Sequence, residues 1–264
     1  MTDNNFSGSV PETYHRYLVP LIFTDYADDL AQRIAARTVG AVLETAAGTG
    51  VLTECLAQQL PADTHITATD FSPAMLTVAE ANLPSADNLS FQQANGIELP
   101  FEDNSFDAVV CQFGVMFFPD ILQGYREARR VLKPGGEFIF NVWDALAENQ
   151  LPRMLHAAAL GLDVENPPDF LKTPWSYNDI DAISGQLEKA GFGDVTVTVL
   201  SKESSAPSAR DVALAFAAGT PLALQLEERG LAEVAVERFS EIIEENFGTG
   251  TVAAPMQAIV FQAR

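Results

Sequence analysis

The sequence has few residues that could form disulfides or bind metal ions. Its 264 residues include two cysteines, Cys55 and Cys111, and three histidines. Two cysteines so far apart form neither a disulfide framework nor the closely spaced ligand pairs of a zinc site. We therefore expect no metal centre, and the cysteine usage is that of a reducing compartment such as the cytoplasm.

Long apolar runs are also missing, although 47% of the residues are hydrophobic. No run reaches the roughly 18 residues that a membrane-spanning helix needs. The first residues, "MTDNNFSGSVPET", contain neither the basic nor the apolar region of a secretion signal. These features predict a cytoplasmic chain without a membrane span, and the apolar content is sufficient for a sizeable core.

Positive charge is scarce. Lys and Arg number 15 against 36 Asp and Glu, which gives a formal net charge of −21. The electrostatic field of this negative charge repels phosphate backbones and anionic lipid surfaces. We therefore expect no nucleic-acid partner and no membrane-surface partner. The densest basic segment, "REARR" at 126–130, has the spacing of a solvated helix face. A small molecule remains the expected partner, and a homodimer remains open.

Apolar segments of strand length alternate with segments of helical periodicity over the first 143 residues. Strands are predicted at "AVLET", "HITATD", "LSFQQA", "FDAVVCQFG" and "EFIFNVW". Helices are predicted at 51–59, at "SPAMLTVAEANL" with Ser72 as N-cap and Pro73 in its first position, and at "DILQGYREARRVL", which "KPGG" should end. This alternation predicts an α/β fold with a doubly wound parallel sheet and a ligand crevice at the strand C-termini.

The remaining segments are predicted to cover that crevice. The segment 14–37 has helical spacing and is divided by Pro20. After Trp143 come helical runs at 151–162, around "NDIDAISGQLEKAG", at 209–218 and at 222–247, with strands at "DVTVTVL" and at the end of the sequence. No linker is evident, so 1–264 is predicted to be one domain, with a core at 40–143, an N-terminal helical cap at 14–37 and capping insertions at 144–175 and 205–248.

The segment "ETAAGTG" (44–50) joins a predicted strand to a predicted helix. Glycine lets a backbone approach a ligand closely, and the following helix N-terminus offers free N–H groups. Asp70 ends the next strand about 20 residues later, where an acid can accept both hydroxyls of a ribose. That arrangement suits NAD and S-adenosylmethionine alike. Thr53, however, stands where the dinucleotide fingerprint carries its third Gly or Ala, which argues against NAD.

Four further segments point to a family. They are "VLETAAGTG" (42–50), "ATDFSPAMLTVA" (68–79), "ANGIELPFEDNSFDAVVCQFGVMFFPD" (94–120) and "EARRVLKPGGEFIF" (127–140). In this order and spacing the chain resembles the class I S-adenosylmethionine-dependent methyltransferases, particularly the branch with the ubiquinone and menaquinone C-methyltransferases. The resemblance implies a seven-stranded Rossmann-like sheet with an antiparallel last strand. It also implies S-adenosylmethionine as cofactor and S-adenosylhomocysteine as product.

The resemblance assigns binding roles to matching positions. The methionine part is assigned to Glu44, Ala46, Gly48 and Gly50, and its amine to Gln112. The ribose is assigned to Asp70. The adenine face is assigned to Phe71 and Met75, and the adenine edge to Asn95 and Gly96. The family usually has Asp at the position of Asn95, whose side-chain oxygen can still accept a hydrogen bond. It usually has Gly at the position of Ala46, so we expect the backbone there to be ordinary.

The residues for chemistry are less defined, because methyl transfer needs alignment more than a base. His15, which titrates near neutrality, and Tyr14 are the catalytic candidates. Candidates for the substrate pocket are Tyr17, Phe23, Met116, Phe117 and His156. Trp143 and Trp175 either wall an apolar pocket or fill the core.

The predicted function is methyl transfer from S-adenosylmethionine to a small, apolar or aromatic acceptor by in-line displacement. Two alternatives stay open. One is a protein of the same fold that binds the cofactor or a metabolite without turnover, and the less favoured one is an NAD-dependent oxidoreductase.

Overall fold

The structure is a computed structural model that describes residues 8–163 and 165–264. Its helices are α1 (Val10–Thr13), a π-helix (Tyr14–Phe23), α2 (Thr24–Ala35), α3 (Val51–Gln59), α4 (Pro73–Asn82), α5 (Ile121–Val131), α6 (Gln150–Leu160), α7 (Ile180–Ala190), α8 (Ala209–Ala217), α9 (Leu222–Glu228) and α10 (Ala232–Phe247). Single 3-10 turns lie at Val115–Phe117, Leu146–Glu148 and Phe170–Lys172. Among the described helices, none is both long and apolar enough to cross a membrane.

The strands form one seven-stranded sheet in the order β3-β2-β1-β4-β5-β7-β6. They are β1 (Ala41–Thr45), β2 (His65–Asp70), β3 (Leu89–Gln93), β4 (Phe106–Gln112), β5 (Leu132–Trp143), β6 (Val195–Ala206) and β7 (Val252–Ala263). Neighbours among β1 to β5 pair in parallel, and β7 runs antiparallel between β5 and β6. The predicted α/β fold, a Rossmann-like sheet with an antiparallel last strand, is confirmed.

Helices cover both faces of this sheet, as the strand alternation requires. Val42 of β1 packs with α2 and α3 in one apolar cluster, whereas its neighbour Leu43 belongs to a larger cluster on the other face. That larger cluster contains residues of α5 to α10. A strand buried on both faces favours apolar residues at adjacent positions, which explains the run Ala41–Leu43 at the start of β1.

The π-helix differs from the α-helix expected around Pro20. Proline in an α-helix clashes with the carbonyl four residues earlier, and a π-helix bonds to the carbonyl five residues earlier instead. The amide of Thr24 follows that pattern and donates to the Val19 carbonyl, which the Thr24 hydroxyl also reaches at 3.2 Å. π-Helical turns occur frequently at functional sites.

Two predicted boundaries are wrong. The fifth strand was predicted to begin at Glu137, but β5 begins at Leu132, directly after α5, and "KPGG" forms an irregular stretch within it: the pairing with β4 shifts register between Leu132 and Glu137, where Gly135 has φ 80°. The predicted single helix 222–247 is broken into α9 and α10 around Gly230, whose φ of 67° is left-handed. A glycine inside a helical pattern is a weak signal, and here it marks a real break.

Candidate functional site

A cleft lies at the carboxyl ends of β1, β2 and β4, between the sheet and the π-helix. It contains about 1060 Å³ of empty space, including its open mouth. Ten lining residues are ones that the sequence predicted for binding or catalysis: Tyr14, Ala46, Gly48, Asp70, Phe71, Met75, Asn95, Gly96, Gln112 and Phe117. The carboxyl ends of parallel strands are where this class of fold binds its ligands.

The glycine turn after β1 is tight and left-handed. Gly48 has φ 57°, and Gly50, at φ 89°, is the N-cap of α3. Ala46 has φ 55°, so the expectation that its backbone is ordinary is wrong. The Ala46 methyl group packs against Gly114. A Cβ on Gly114 would lie 2.4 Å from the Ala46 Cβ, so no side chain fits at position 114. Ala46 therefore holds a strained conformation that glycine would adopt freely.

Asp70 is fixed by two backbone N–H groups. One carboxylate oxygen, Oδ2, accepts from Gly48 N at 2.8 Å, and the other, Oδ1, accepts from Ser72 N at 2.8 Å. Burial raises the pKa of this carboxyl, and the backbone N–H groups of Ser72, Gly48 and Phe71 oppose that shift. Each oxygen of a carboxylate has two acceptor positions, so one remains on each oxygen for a ligand hydroxyl.

Glu44 lies beneath the turn and does not line the cleft. It is 1% exposed, and its Oε2 accepts a 2.6 Å hydrogen bond from the Thr53 hydroxyl. Burial raises the pKa of Glu44 to about 8, and the nearby Asp70 carboxylate adds to the shift. Thr53, which the sequence marked only as a departure from the dinucleotide fingerprint, is the hydrogen-bond donor that holds this carboxyl.

The far side of the cleft is apolar. Phe71 is 41% exposed, Met75 is buried, and Asn95 accepts a 3.3 Å hydrogen bond from Ile97 N through its own side chain. The Phe118 ring packs directly against the backbone of Gly96, because a Cβ on Gly96 would lie 2.5 Å from that ring. This wall offers a flat, largely apolar surface with amide groups at one edge, which suits a purine ring.

The π-helix is tied to the end of β4. Gln112 donates from Nε2 to the Phe23 carbonyl at 2.9 Å. The next residue, Phe113, has a left-handed φ of 47°, and its N–H donates to Asn141 Oδ1 at 2.9 Å. Strained backbone of this kind persists only where the surroundings hold it, and here it positions the Phe113 ring between two cavities.

The second cavity adjoins the cleft and contains about 490 Å³ of empty space. It shares Tyr14, Phe113 and Phe117 with the cleft. Phe113 stacks on Trp143 with ring centroids 3.8 Å apart, and Trp143 stacks on Trp175. Eight of its fourteen lining residues are aromatic, and none of the lining residues in the described chain is charged. We call this space the aromatic cavity.

Several predicted residues lie elsewhere. His15 and Tyr17 line neither space: His15 Nδ1 lies 3.1 Å from the Thr49 hydroxyl, and Arg16 stacks over the Tyr17 ring. Met116 is buried below the cleft, and Gly50 packs against α4. His156 lies on α6, near Lys172 and Asp169. Of the predicted substrate residues, Phe23 and Phe117 line the aromatic cavity.

The sequence analysis missed seven residues that line the cleft: Thr69, Ser72, Ala94, Phe113, Gly114, Phe118 and Pro119. Most of them are next to a residue that was predicted. What could have indicated them in the sequence is their place near the ends of the strands, not a motif. Phe113 and Gly114 directly follow Gln112, and their place after β4 was the available indication.

Comparisons with known proteins agree with this geometry. Residues 43–140, which contain the glycine turn, Asp70 and the end of β4, match the family model described as "Methyltransferase domain". These residues, somewhat more than a third of the chain, are therefore similar to methyltransferase domains. The resemblance predicted from the four sequence segments is therefore confirmed for this part of the chain.

Two curated relatives show the same match. A demethylmenaquinone methyltransferase of Listeria welshimeri is 42% identical over 98 residues, which cover 36% of this chain and 42% of that protein. A ubiquinone/menaquinone biosynthesis C-methyltransferase of Brucella abortus is 31% identical over 169 residues, or 58% of this chain and 62% of that protein. The matched region thus spans less than two thirds of either relative.

A solved structure extends the likeness to the whole fold. A Haemonchus contortus phosphoethanolamine N-methyltransferase, in complex with phosphomonomethylethanolamine and S-adenosylhomocysteine, aligns with a TM-score of 0.60 and 15% identity. The alignment covers 100% of this chain and 58% of that one. At this identity the alignment supports the fold and says nothing of the substrate.

Proposed function

We propose that this chain transfers a methyl group from S-adenosylmethionine to a neutral, largely apolar aromatic acceptor. The observation that carries the proposal is the pairing of two spaces. One is a cleft with a glycine turn and an oriented carboxylate, and the other is an aromatic cavity that shares Tyr14, Phe113 and Phe117 with it. A methyl group that moves between two ligands needs this kind of shared wall.

The cleft residues fit S-adenosylmethionine. Asp70 has one acceptor position left on each oxygen, which matches the two ribose hydroxyls. The Asp70 carboxylate gives the site a negative potential that favours the positive sulfonium and amino groups, whereas Glu44, whose pKa is raised to about 8, is largely protonated near neutral pH. Phe71, Met75 and Asn95 supply a surface for adenine. The resemblance gives the same roles to these positions.

The chain's part in the reaction is alignment. The cofactor supplies a methyl carbon bonded to a positive sulfur. With the cofactor bound, that bond would break as the acceptor's bond to the methyl carbon forms, and sulfur would leave with the electron pair as a neutral thioether. The three shared aromatic side chains hold the acceptor in line and keep water out, and effects of this kind contribute several kcal/mol to a rate, up to roughly 10 in model reactions.

A general base is not expected from the lining residues that the structure describes. Tyr14 and Asp70 are the titratable ones. Burial raises the pKa of the Tyr14 phenol well above its ordinary value, so it stays protonated, and the remaining acceptor positions of Asp70 are assigned to the ribose hydroxyls. His15 lies outside both spaces, and burial lowers its pKa. The acceptor atom must therefore be nucleophilic already, as a readily ionised phenol, an enol-type carbon or a neutral amine is.

The relatives support the aromatic acceptor. One is named a demethylmenaquinone methyltransferase and the other a ubiquinone/menaquinone biosynthesis C-methyltransferase, so both names refer to quinones, which are apolar ring compounds. A cytoplasmic location is part of the same proposal. It rests on the cysteine usage and on the absence of a membrane-spanning helix among the described residues.

The test is transfer of a labelled methyl group. The chain is incubated with S-adenosylmethionine deuterated on the methyl group and with a panel of neutral phenols, hydroquinones and aromatic amines. The proposal predicts S-adenosylhomocysteine together with a deuteromethylated product, both detected by mass spectrometry, and loss of both with Asp70→Ala. A chain that binds the cofactor but leaves the label on sulfur throughout the panel would be a binding protein of this fold instead.

A further inference from the structure

Trp175, one of the residues that line the aromatic cavity, has a hydrogen-bond donor without a partner in the described part of the chain. Trp175 is 6% exposed, and its Nε1–H is buried without an acceptor among the described residues. An indole nitrogen can only donate, and a buried donor without a partner is costly. Buried tryptophan usually has a partner for this group. A ligand in the cavity can supply it.

The indole is held firmly. It stacks on Trp143 with ring centroids 5.8 Å apart and an interplanar angle of 28°, and Phe216 lies at 6.5 Å on a tilted plane. The loop that carries it is closed by a 2.9 Å hydrogen bond from Asn178 Nδ2 to the Trp175 carbonyl. The position of Nε1 is therefore set before any ligand arrives, which reduces the entropy cost of binding.

The two hydroxyl-bearing side chains of this lining, Thr220 and Tyr14, already have interactions of their own. The Thr220 hydroxyl donates to the Phe216 carbonyl at 2.7 Å and accepts from Leu222 N at 3.2 Å. Tyr14 also has an interaction of its own and lies at the boundary with the cleft. Among the described residues of this lining, Trp175 Nε1 is thus the one side-chain donor that is both fully buried and without a partner.

We propose that Trp175 determines acceptor specificity by donating a hydrogen bond from Nε1 to a lone-pair atom of a neutral aromatic substrate. The inference rests on the proposed function, since it takes the aromatic cavity as the acceptor site. The favoured substrate carries a carbonyl, ether or hydroxyl oxygen on an apolar ring system. A cage of aromatic rings can also bind organic cations. The unused N–H argues against a cation, because its positive end repels positive charge.

The test uses two matched probes, 1-indanone and indane, which share a bicyclic skeleton and differ in the ketone oxygen. The chain has two tryptophans, so its nitrogen-15 spectrum has two indole N–H signals, and Trp175→Phe identifies the second by its disappearance. We expect 1-indanone to move the Trp175 signal downfield and to bind about tenfold more tightly than indane. In Trp175→Phe the two affinities should become equal.

Three results would overturn the inference. They are equal affinity of the two probes for the wild type, an unmoved Trp175 signal with bound ketone, and tighter binding of phenyltrimethylammonium, which would indicate a cation site. If the variant does not fold, the affinities of the wild type for the two probes decide the matter. Binding of S-adenosylhomocysteine is measured in the same samples. A chain that selects the ketone but does not bind S-adenosylhomocysteine would retain this inference and contradict the proposed function.

Discussion

Replacement of Glu44 by glutamine should stabilise the chain increasingly as the pH rises. In the folded chain the pKa of Glu44 is about 8, against 4.5 for an ordinary glutamate. Between these values the folded chain keeps a proton that the unfolded chain has lost, so the wild type loses stability with rising pH. Glutamine has no such proton and can still accept the hydrogen bond from Thr53.

The magnitude follows from linkage. Each pH unit within that window removes up to about 1.4 kcal/mol from the wild type alone. Between pH 5.5 and pH 7.5 the difference in free energy of unfolding between Glu44→Gln and wild type should therefore widen by about 2–3 kcal/mol in favour of the variant. Below the unfolded pKa the two pH dependences should coincide, because Glu44 is then protonated in both states.

Urea unfolding without ligand measures this widening directly. Glu54→Gln is the control, since it removes an exposed carboxylate from the same helix, α3. We expect it to change the free energy of unfolding by no more than about 0.5 kcal/mol at either pH. A constant difference between Glu44→Gln and wild type would refute the reasoning, because it would mean that Glu44 ionises as readily when folded as when unfolded.

Two further predictions concern the backbone around the cleft. Ala46→Gly should raise the free energy of unfolding by about 0.5 kcal/mol, because relief of the left-handed φ of 55° outweighs the added entropy of the unfolded chain. A lower free energy of unfolding, measured with urea, would contradict the strain at Ala46. Gly124→Ala in α5 should lower it by about 1–3 kcal/mol, because the new Cβ would lie 2.4 Å from the Phe118 ring. Gly185→Ala in α7 is the matched control, where no atom lies within 4 Å, and the gain in helix propensity should stabilise by about 0.5–1 kcal/mol.

The sheet could be predicted because its signals are local. Adjacent residues such as Val42 and Leu43 are both apolar because both faces of β1 are covered. Ser72 caps α4 as predicted, since its side chain accepts from Met75 N. Asp70 was found because its place at the end of β2 depends on the strand alone. The same logic located the cleft from the ends of β1, β2 and β4.

The features that were missed depend on contacts across the fold. Pro20 signalled a disturbance in the N-terminal helix, but the π-helix also depends on packing against α8 and β6. The left-handed backbone of Phe113 is held by Asn141 on a different strand. The aromatic cavity brings the π-helix together with residues between 170 and 221. No single segment encodes such a space, so sequence patterns could name Trp175 but not its unused N–H.

The most direct measurement is calorimetric titration of the chain with S-adenosylmethionine, on wild type, Asp70→Ala and Asp107→Asn. Asp107 also accepts two backbone N–H groups, those of Gly40 and Ala41, but at the opposite end of the sheet. We expect the wild type to bind S-adenosylmethionine. Asp70→Ala should bind it at least about a hundredfold more weakly, because the two hydrogen bonds from the ribose hydroxyls to a charged carboxylate are lost. Asp107→Asn should bind it with unchanged affinity. No binding by the wild type, or equal binding by Asp70→Ala, would contradict the assignment of the cleft to this cofactor.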